Sequence, residues 1–146
     1  MSIIKRLTAL RALMKQYDVA ACIVPGTDPH ASEYMASHWT EMSWITGFLG
    51  ETGTAVVTME QALLWTDSRY YLQAEAELQG TTVELMRESD IDCPSIPEWL
   101  CKDIGNRVSG IECRRRIYRK GCRLRSFTNA HTRDRRPKPP YIRLRW

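Results

Sequence analysis

The chain begins with two different hydrophobic patterns. Apolar residues recur at helical spacing from residue 3 to residue 16, with Lys and Arg between them, which predicts an amphipathic helix with one face toward a core. Residues 19–24 are instead a continuous apolar run, which is typical of a strand buried on both faces of an α/β sheet. A helix followed by a buried strand indicates a layered α/β domain.

Two short apolar runs in the middle of the chain predict a β-hairpin. Residues 54–58 and 62–66 are rich in Val, Leu, Thr and Trp, and the connection between them is too short for anything but a turn. The second run ends at an Asp-Ser pair that suits a helix N-cap, and a helical pattern follows. This arrangement leaves Asp67, Arg69 and Tyr70 at a strand end, where functional residues are common.

Weaker patterns predict further elements on both sides of the hairpin. They are a helical turn at 31–35, a second one from Glu41 to Ile45 with Thr40 as its N-cap, a β-prone run at 81–86, a helix over 95–104, and the start of a strand at 105–108. We interpret Gly47, Gly50 and Gly53 as ordinary loop residues.

The charge of the chain changes sign near Ser109. Residues 1–109 hold 8 Lys/Arg and 15 Asp/Glu, a net charge of −7, whereas residues 110–146 hold 13 and 2, a net charge of +11. The apolar periodicity also ends there, so we expect one folded domain at 1–109 and a basic, largely disordered tail at 110–146. Clustered arginine suits phosphate binding, but no folded recognition module accompanies it. We favour an unselected tail, produced by truncation or a frameshift, over a nucleic-acid-binding arm.

The cysteines, histidines and known sequence motifs exclude several classes of function. Five cysteines without a CxxC pair indicate reduced thiols and a cytoplasmic protein, and there is neither a secretory signal nor an apolar run long enough to span a membrane. His30 and His38 could ligate a metal with Asp28 or Glu33, but the spacing favours loop hydrogen bonds. We find no phosphate loop, nucleophile elbow or zinc motif, and hence no complete catalytic constellation in residues 1–109.

Four segments, in order along the chain, carry a resemblance to a known family. They are Val24-Pro-Gly-Thr-Asp-Pro-His-Ala-Ser-Glu-Tyr34, Trp44-Ile-Thr-Gly-Phe48, Gly53-Thr-Ala-Val-Val57 and Trp65-Thr-Asp-Ser-Arg-Tyr70. Together they resemble the creatinase/prolidase N-terminal domain of Xaa-Pro aminopeptidases (aminopeptidase P), from residue 3 to about residue 108. The resemblance implies an α/β fold with a mixed β-sheet flanked by helices.

The resemblance also implies that the catalytic residues lie elsewhere. Members of the family hydrolyse the bond between an N-terminal residue and a following proline, using two Mn²⁺ or related ions in a C-terminal pita-bread domain. None of those ligand motifs occurs in residues 109–146. We therefore expect no catalytic residue, no metal ligand and no cofactor in this chain.

Residues at the edge of a substrate pocket are the site that the resemblance implies. The N-terminal domain of the family helps form the dimer and covers part of the neighbouring active site. By this resemblance, Trp65, Asp67, Arg69 and Tyr70 form the pocket edge, and His30 and Tyr34 support it. The local alternative is that Asp67 caps the following helix and Arg69 pairs with a nearby acid.

Three functions remain open from the sequence. The chain is an accessory domain of a Xaa-Pro aminopeptidase, inactive alone; or a stand-alone domain that pairs with itself or with a full-length aminopeptidase; or a small basic-tailed nucleic-acid binder. If the sheet lacks its continuation after Val108, an edge remains uncovered, and we expect marginal stability or self-association.

Overall fold

The computed structural model describes residues 1–28 and 40–103, together with the backbone of 110–113 and 116–119. The helices of this part are α1 (Ile3–Gln16), α2 (Glu41–Thr46), α3 (Tyr71–Glu77) and α4 (Ile96–Asp103), and a 3₁₀ turn at Ser68–Tyr70 leads into α3. The strands are β1 (Ala21–Pro25), β2 (Thr54–Thr58), β3 (Ala62–Thr66), β4 (Glu84–Arg87), β5 (Gly110–Cys113) and β6 (Arg116–Arg119).

All of these strands belong to one mixed sheet with the order β4-β3-β2-β1-β5-β6. The pairs β1–β2, β2–β3 and β5–β6 are antiparallel, whereas β3–β4 and β1–β5 are parallel. The chain leaves β4 at one edge of the sheet, forms α4, and returns beside β1. This long crossover is what parallel pairing requires, because a tight turn cannot join parallel strands.

Successive residues of the hairpin strands point to opposite faces of the sheet, and each face has its own hydrophobic cluster. The first cluster joins Ala55, Val57, Ala62 and Leu64 to α1, α2 and α3. The second contains Val56, Leu63 and Trp65 and is covered by α4 through Leu100. Strand β3 is buried at every position, since it lies between the two layers of helices.

The main sequence predictions are confirmed. Helix α1 has the predicted bounds, with the Ser2 side chain accepting a hydrogen bond from the N–H of Lys5, and the hairpin strands begin and end where the pattern places them. The predicted fold class, a mixed sheet flanked by helices, is also confirmed. Strand β4 begins later than predicted, because the Thr81 hydroxyl donates to the Leu78 carbonyl and accepts from the Val83 N–H in a turn.

Two local expectations are corrected. Thr40 precedes α2, but its side chain makes no capping hydrogen bond, since its backbone is not in the extended conformation that aims the hydroxyl at the helix amides. Gly47 is more than a loop residue, because its φ of 85° lies in the left-handed region and ends α2. At Gly53, a Cβ atom would lie 2.9 Å from the Trp65 carbonyl oxygen, so the hairpin needs glycine there.

The structure also differs from the expectation of a structureless tail. β5 pairs with β1 from Ala21↔Ile111 to Ile23↔Cys113, and β6 pairs antiparallel with β5. This corrects the expectation of a structureless segment for these two strands, and β5 covers one side of β1. The physical reason is that an unpaired strand edge offers backbone donors and acceptors whatever the side-chain pattern of the partner. The predicted turn at 31–35 and strand start at 105–108 lie outside the described residues.

Candidate functional site

The candidate site lies where β3 ends and the chain turns into α3. Asp67 has an extended backbone, with φ −83° and ψ 168°, and its carboxylate accepts a hydrogen bond from the N–H of Arg69 at 3.0 Å. This is an N-cap, as predicted, and it starts the 3₁₀ turn at Ser68–Tyr70. The cap fixes the direction in which the next side chains leave the strand.

The Asp67 carboxylate is also held from two other sides. Arg69 donates to it through Nε at 3.0 Å and Nη2 at 2.8 Å, a bidentate ion pair, and Thr52 Oγ1 donates at 2.8 Å. The hydrogen bonds from Arg69, and then that from Thr52, hold the pKa of Asp67 well below its usual range. The carboxylate is therefore ionised at neutral pH and keeps Arg69 oriented.

Arg69 is the most exposed member of the site, with 70% of its side chain in contact with solvent. The hydrogen bonds to Asp67 raise the pKa of its guanidinium. The guanidinium lies 5.5 Å from the centre of the Tyr70 ring, and the Tyr70 hydroxyl donates to Glu51 at 3.5 Å. Because Asp67 occupies only Nε and one terminal N–H, the outer guanidinium donors point away from the ion pair and can reach a carbonyl or carboxylate of a bound molecule.

Tyr70 joins this surface to the core. Its ring meets Phe48 edge-on, with 6.0 Å between the ring centres, and Phe48 is completely buried. Tyr70 itself is half-buried and packs against the first hydrophobic cluster. Packing against Phe48 therefore fixes the position of the Tyr70 ring, and the Arg69 guanidinium packs against this fixed ring.

Trp65 is not brought together with the other three residues. It is buried in the second cluster, on the face of the sheet that α4 covers, where its indole N–H donates to the Pro94 carbonyl at 3.0 Å. It also meets Trp99 edge-on at 5.8 Å. The structure therefore places Trp65 in the core behind the strand end. His30 and Tyr34 lie outside the described residues, and their supporting role stays a prediction.

Sequence reasoning missed Thr52, Glu51 and Phe48 as neighbours of the site. The signal was the hairpin register: Thr54 pairs with Trp65, so continuing the same antiparallel register by two residues brings Thr52 opposite Asp67. The hydroxyl–carboxylate contact could have been found once the hairpin was predicted.

The described residues do not supply a metal centre. Within 1–28 and 40–103, no three side chains of His, Cys, Asp or Glu come together as a possible ligand set. The same part of the chain contains no helix with the length and hydropathy needed to cross a membrane.

Comparison with known proteins places the chain in a family. The sequence profile described as the creatinase/prolidase N-terminal domain matches residues 6–130. The chain belongs to this family. The match runs past Ser109, into the segment that we expected to be a tail, and the boundary at 109 stays a prediction.

The chain is also similar to complete enzymes. It is 47% identical over 104 residues to Xaa-Pro aminopeptidase 2 of Homo sapiens, which covers 70% of this chain and 15% of that protein. It is 34% identical over 160 residues to Aminopeptidase P2 of Arabidopsis thaliana, covering 97% of this chain and 22% of the relative. The chain thus spans between 15% and 22% of the length of these relatives.

A solved structure shows the same fold. The crystal structure of X-prolyl aminopeptidase from Caenorhabditis elegans, described as a cytosolic enzyme with a di-nuclear active site, matches with a TM-score of 0.66 and 32% identity. That match covers 70% of this chain and 18% of the enzyme. X-Pro aminopeptidase from Thermotoga maritima, at 20% identity and a TM-score of 0.54, supports the fold alone.

Proposed function

We propose that this chain is the accessory N-terminal domain of a cytoplasmic Xaa-Pro aminopeptidase, which removes an N-terminal residue that precedes proline. The family membership and the 47% identity over 104 residues to Xaa-Pro aminopeptidase 2 support this proposal. The domain is not catalytic alone, and the two metal ions, Mn²⁺ or similar, belong to the part of the relatives that this chain does not match. Its own contribution is to shape the substrate pocket.

The observation that carries the pocket-edge role is the clamped, outward-facing Arg69. A long side chain normally loses conformational entropy when it binds a ligand. Here the bidentate pair with Asp67 and the Tyr70 ring have already fixed the guanidinium. Its outer N–H groups can then bind a carbonyl oxygen or a carboxylate of the peptide at a low entropic cost. Trp65 contributes indirectly, because its buried side chain packs in the core beneath the end of β3.

The same end of the domain carries an exposed apolar surface for a partner. Leu49 is 72% exposed and Leu72 is 84% exposed. The Leu49 N–H donates to Glu77 at the end of α3, and Leu72 lies near the start of the same helix. We propose that this side meets a second copy of the chain or a full-length aminopeptidase, which places Arg69 next to an active site.

The first test is the activity of the purified 146-residue chain. It is assayed with Mn²⁺ on an Xaa-Pro dipeptide and on a short Xaa-Pro peptide, with metal analysis of the same sample. We expect no turnover and no stoichiometric metal. Turnover with bound metal would overturn the accessory role, because the chain would then contain the catalytic centre.

The second test separates Arg69 from an ordinary surface arginine. Arg87 is the matched control, since it too pairs with one carboxylate, Glu75, and lies 5.3 Å from a tyrosine ring centre, that of Tyr71. The chain is combined with a full-length aminopeptidase, and association and kinetics are measured. We expect Arg69→Ala to raise KM with unchanged association, and Arg87→Ala to leave both unchanged. Equal effects of the two variants would contradict the pocket-edge role.

A further inference from the structure

Strand β4 forms one edge of the sheet. It pairs with β3 on one side only, from Leu63↔Glu84 to Thr66↔Arg87, and no other described strand lies beside it. The backbone N–H and C=O groups on its other side point away from β3. An edge of this kind can accept an extended peptide as an added strand, held by main-chain hydrogen bonds.

The charged side chains along this edge are mostly acidic. Residues 84–92 hold four Asp/Glu and one Arg, and all five are exposed. The arginine, Arg87, pairs with Glu75 of α3. The four carboxylates therefore give the β4 edge and the turn after it a surplus of negative charge.

The negative charge of the turn acts on a neighbouring thiol. Burial, together with the charges of Asp90 and Glu88, raises the pKa of Cys93. Two of the carboxylates thus influence the same half-buried side chain. The surplus charge is therefore concentrated at this edge rather than dispersed over the domain.

The two faces of β4 differ in what they offer to an added strand. Leu85 packs against the first hydrophobic cluster and Met86 against the second, and both are half-buried. Because side chains alternate along a strand, Glu84 shares the α4 face with Met86. An added strand would therefore meet a carboxylate on the α4 face and the apolar Leu85 on the α3 face.

A second copy of the chain is a poor occupant of this edge. Two antiparallel β4 strands centred on Met86 would place Glu84 of one copy opposite Glu88 of the other, and like charges on opposed strands are destabilising. The acidic turns of both copies would add to the repulsion. A basic strand instead forms opposite-charge pairs across the same positions, which are stabilising.

We propose that the β4 edge binds an extended, basic segment of another protein as an added strand. The backbone of β4 supplies the hydrogen bonds, and Glu84 pairs with a Lys or Arg of the segment on the α4 face. The acidic turn at 88–92 attracts the flanking positive charges. This edge contains none of the residues of the candidate site, so binding here is independent of the pocket-edge role of Arg69.

Titration of the full chain with a short model peptide tests this inference. The peptide is acetyl-Lys-Val-Lys-Val-Lys-amide, which is blocked at both ends and contains no proline. We expect the amides of Glu84–Arg87 that point away from β3 to exchange about tenfold more slowly when the peptide is saturating. About 1 M salt should weaken the binding, because it screens charges beyond about 3 Å.

Two control peptides separate strand addition from simple charge attraction. The first has Glu in place of every Lys, and we expect it not to bind. The second has Pro in place of both Val residues, so it keeps the three positive charges but lacks two backbone donors. We expect the proline peptide to leave β4 exchange unchanged.

A pair of charge variants tests the carboxylates themselves. Glu84→Gln/Glu88→Gln removes two charges and keeps the side-chain shape, and we expect it to raise the Kd of the lysine peptide about fivefold. The matched control is Glu60→Gln/Asp103→Asn, which removes two exposed charges in the β2–β3 turn and at the end of α4. The control should leave the Kd unchanged.

Several results would overturn the proposal. If neither the lysine nor the glutamate peptide binds, or both bind equally, the charges serve only to protect the edge from pairing. If the proline peptide also slows β4 exchange, the contact is not an added strand. If Glu84→Gln/Glu88→Gln binds the lysine peptide like the parent chain, these carboxylates do not select the partner.

Discussion

The Asp67 side chain has two structural roles, a helix cap and the orientation of Arg69. It caps the turn before α3, and its carboxylate accepts hydrogen bonds from Nε and Nη2 of Arg69. The structure confirms the local alternative, in which Asp67 is a cap and Arg69 pairs with a nearby acid. The two interpretations are compatible, because the ion pair that satisfies Asp67 leaves Arg69 exposed and oriented.

The depressed pKa of Asp67 predicts a pH dependence of stability. A carboxylate whose folded-state pKa lies below its ordinary value of 3.8 contributes stability above that pH, and the contribution is lost as the pH falls toward the folded-state pKa. Asp67→Asn keeps the shape and an acceptor oxygen but loses the charge. We expect the parent's Tm to exceed that of Asp67→Asn at pH 7 and the difference to shrink below about pH 3.8.

Asp92→Asn is the matched control for this experiment. Asp92 lies in an exposed turn, so the substitution removes the same surface charge without touching Arg69. Its Tm should follow that of the parent chain at each pH. A difference between the parent and Asp67→Asn that does not change with pH would contradict the ionic role of Asp67.

At the scale of elements, the hairpin β2–β3 is the centre of the domain. β2 and β3 supply side chains to both hydrophobic clusters, and β3 is buried at all of its positions. Leu64, for example, is fully buried in the layer below α1, α2 and α3. Loss of packing here should cost more than loss of a leucine on a helix surface.

Leu64→Ala and Leu72→Ala form a pair that measures this difference. Leu64 is 0% exposed and Leu72 is 84% exposed. We expect Leu64→Ala to lower the free energy of unfolding by about 2–5 kcal/mol, because it leaves a cavity. Leu72→Ala should change it by less than about 0.5 kcal/mol. Urea unfolding monitored by circular dichroism checks both, and equal losses would contradict the assignment of Leu64 to the core.

Elements with strong local patterns could be predicted from the sequence, and those that depend on distant partners could not. Ile3–Gln16 and the hairpin strands follow from the period of their apolar residues. The late start of β4 could not be foreseen, since it depends on the Thr81 hydroxyl turning the backbone. The cap at Asp67 was predictable because its hydrogen bonds are local, whereas the burial of Trp65 behind the site depends on α4.

At the scale of the whole molecule, the sheet depends on the pairing of β1 with β5. Ala21–Ile23 pair with Ile111–Cys113, nearly a whole domain away in sequence. The side-chain pattern of residues 110–119 does not predict this pairing. Strands pair through their backbone N–H and C=O groups, and how well a sequence suits a strand depends on its neighbours in the fold. This is why the sequence analysis did not anticipate the pairing of β5 with β1.

Proline in β5 tests the importance of this pairing. β5 lies between β1 and β6, so Glu112→Pro removes a ladder hydrogen bond on one side or the other. We expect a loss of about 3 kcal/mol in the free energy of unfolding and a concentration-dependent rise in mass by light scattering. Thr128→Pro, in the basic segment outside these strands, is the control. A monomer with parent-like stability after Glu112→Pro would show that β5 contributes little.

The long crossover to β5 has a consequence for biosynthesis. The hairpin and the helix that follows it are complete once residue 78 has left the ribosome, and their contacts are close in sequence, so they can form early. β1 must wait for residues 110–113, and at about 5–20 residues per second that delay lasts seconds. During this interval the edge of β1 that will pair with β5 is exposed on the nascent chain. A chaperone that covers this edge would increase the yield of correctly folded protein.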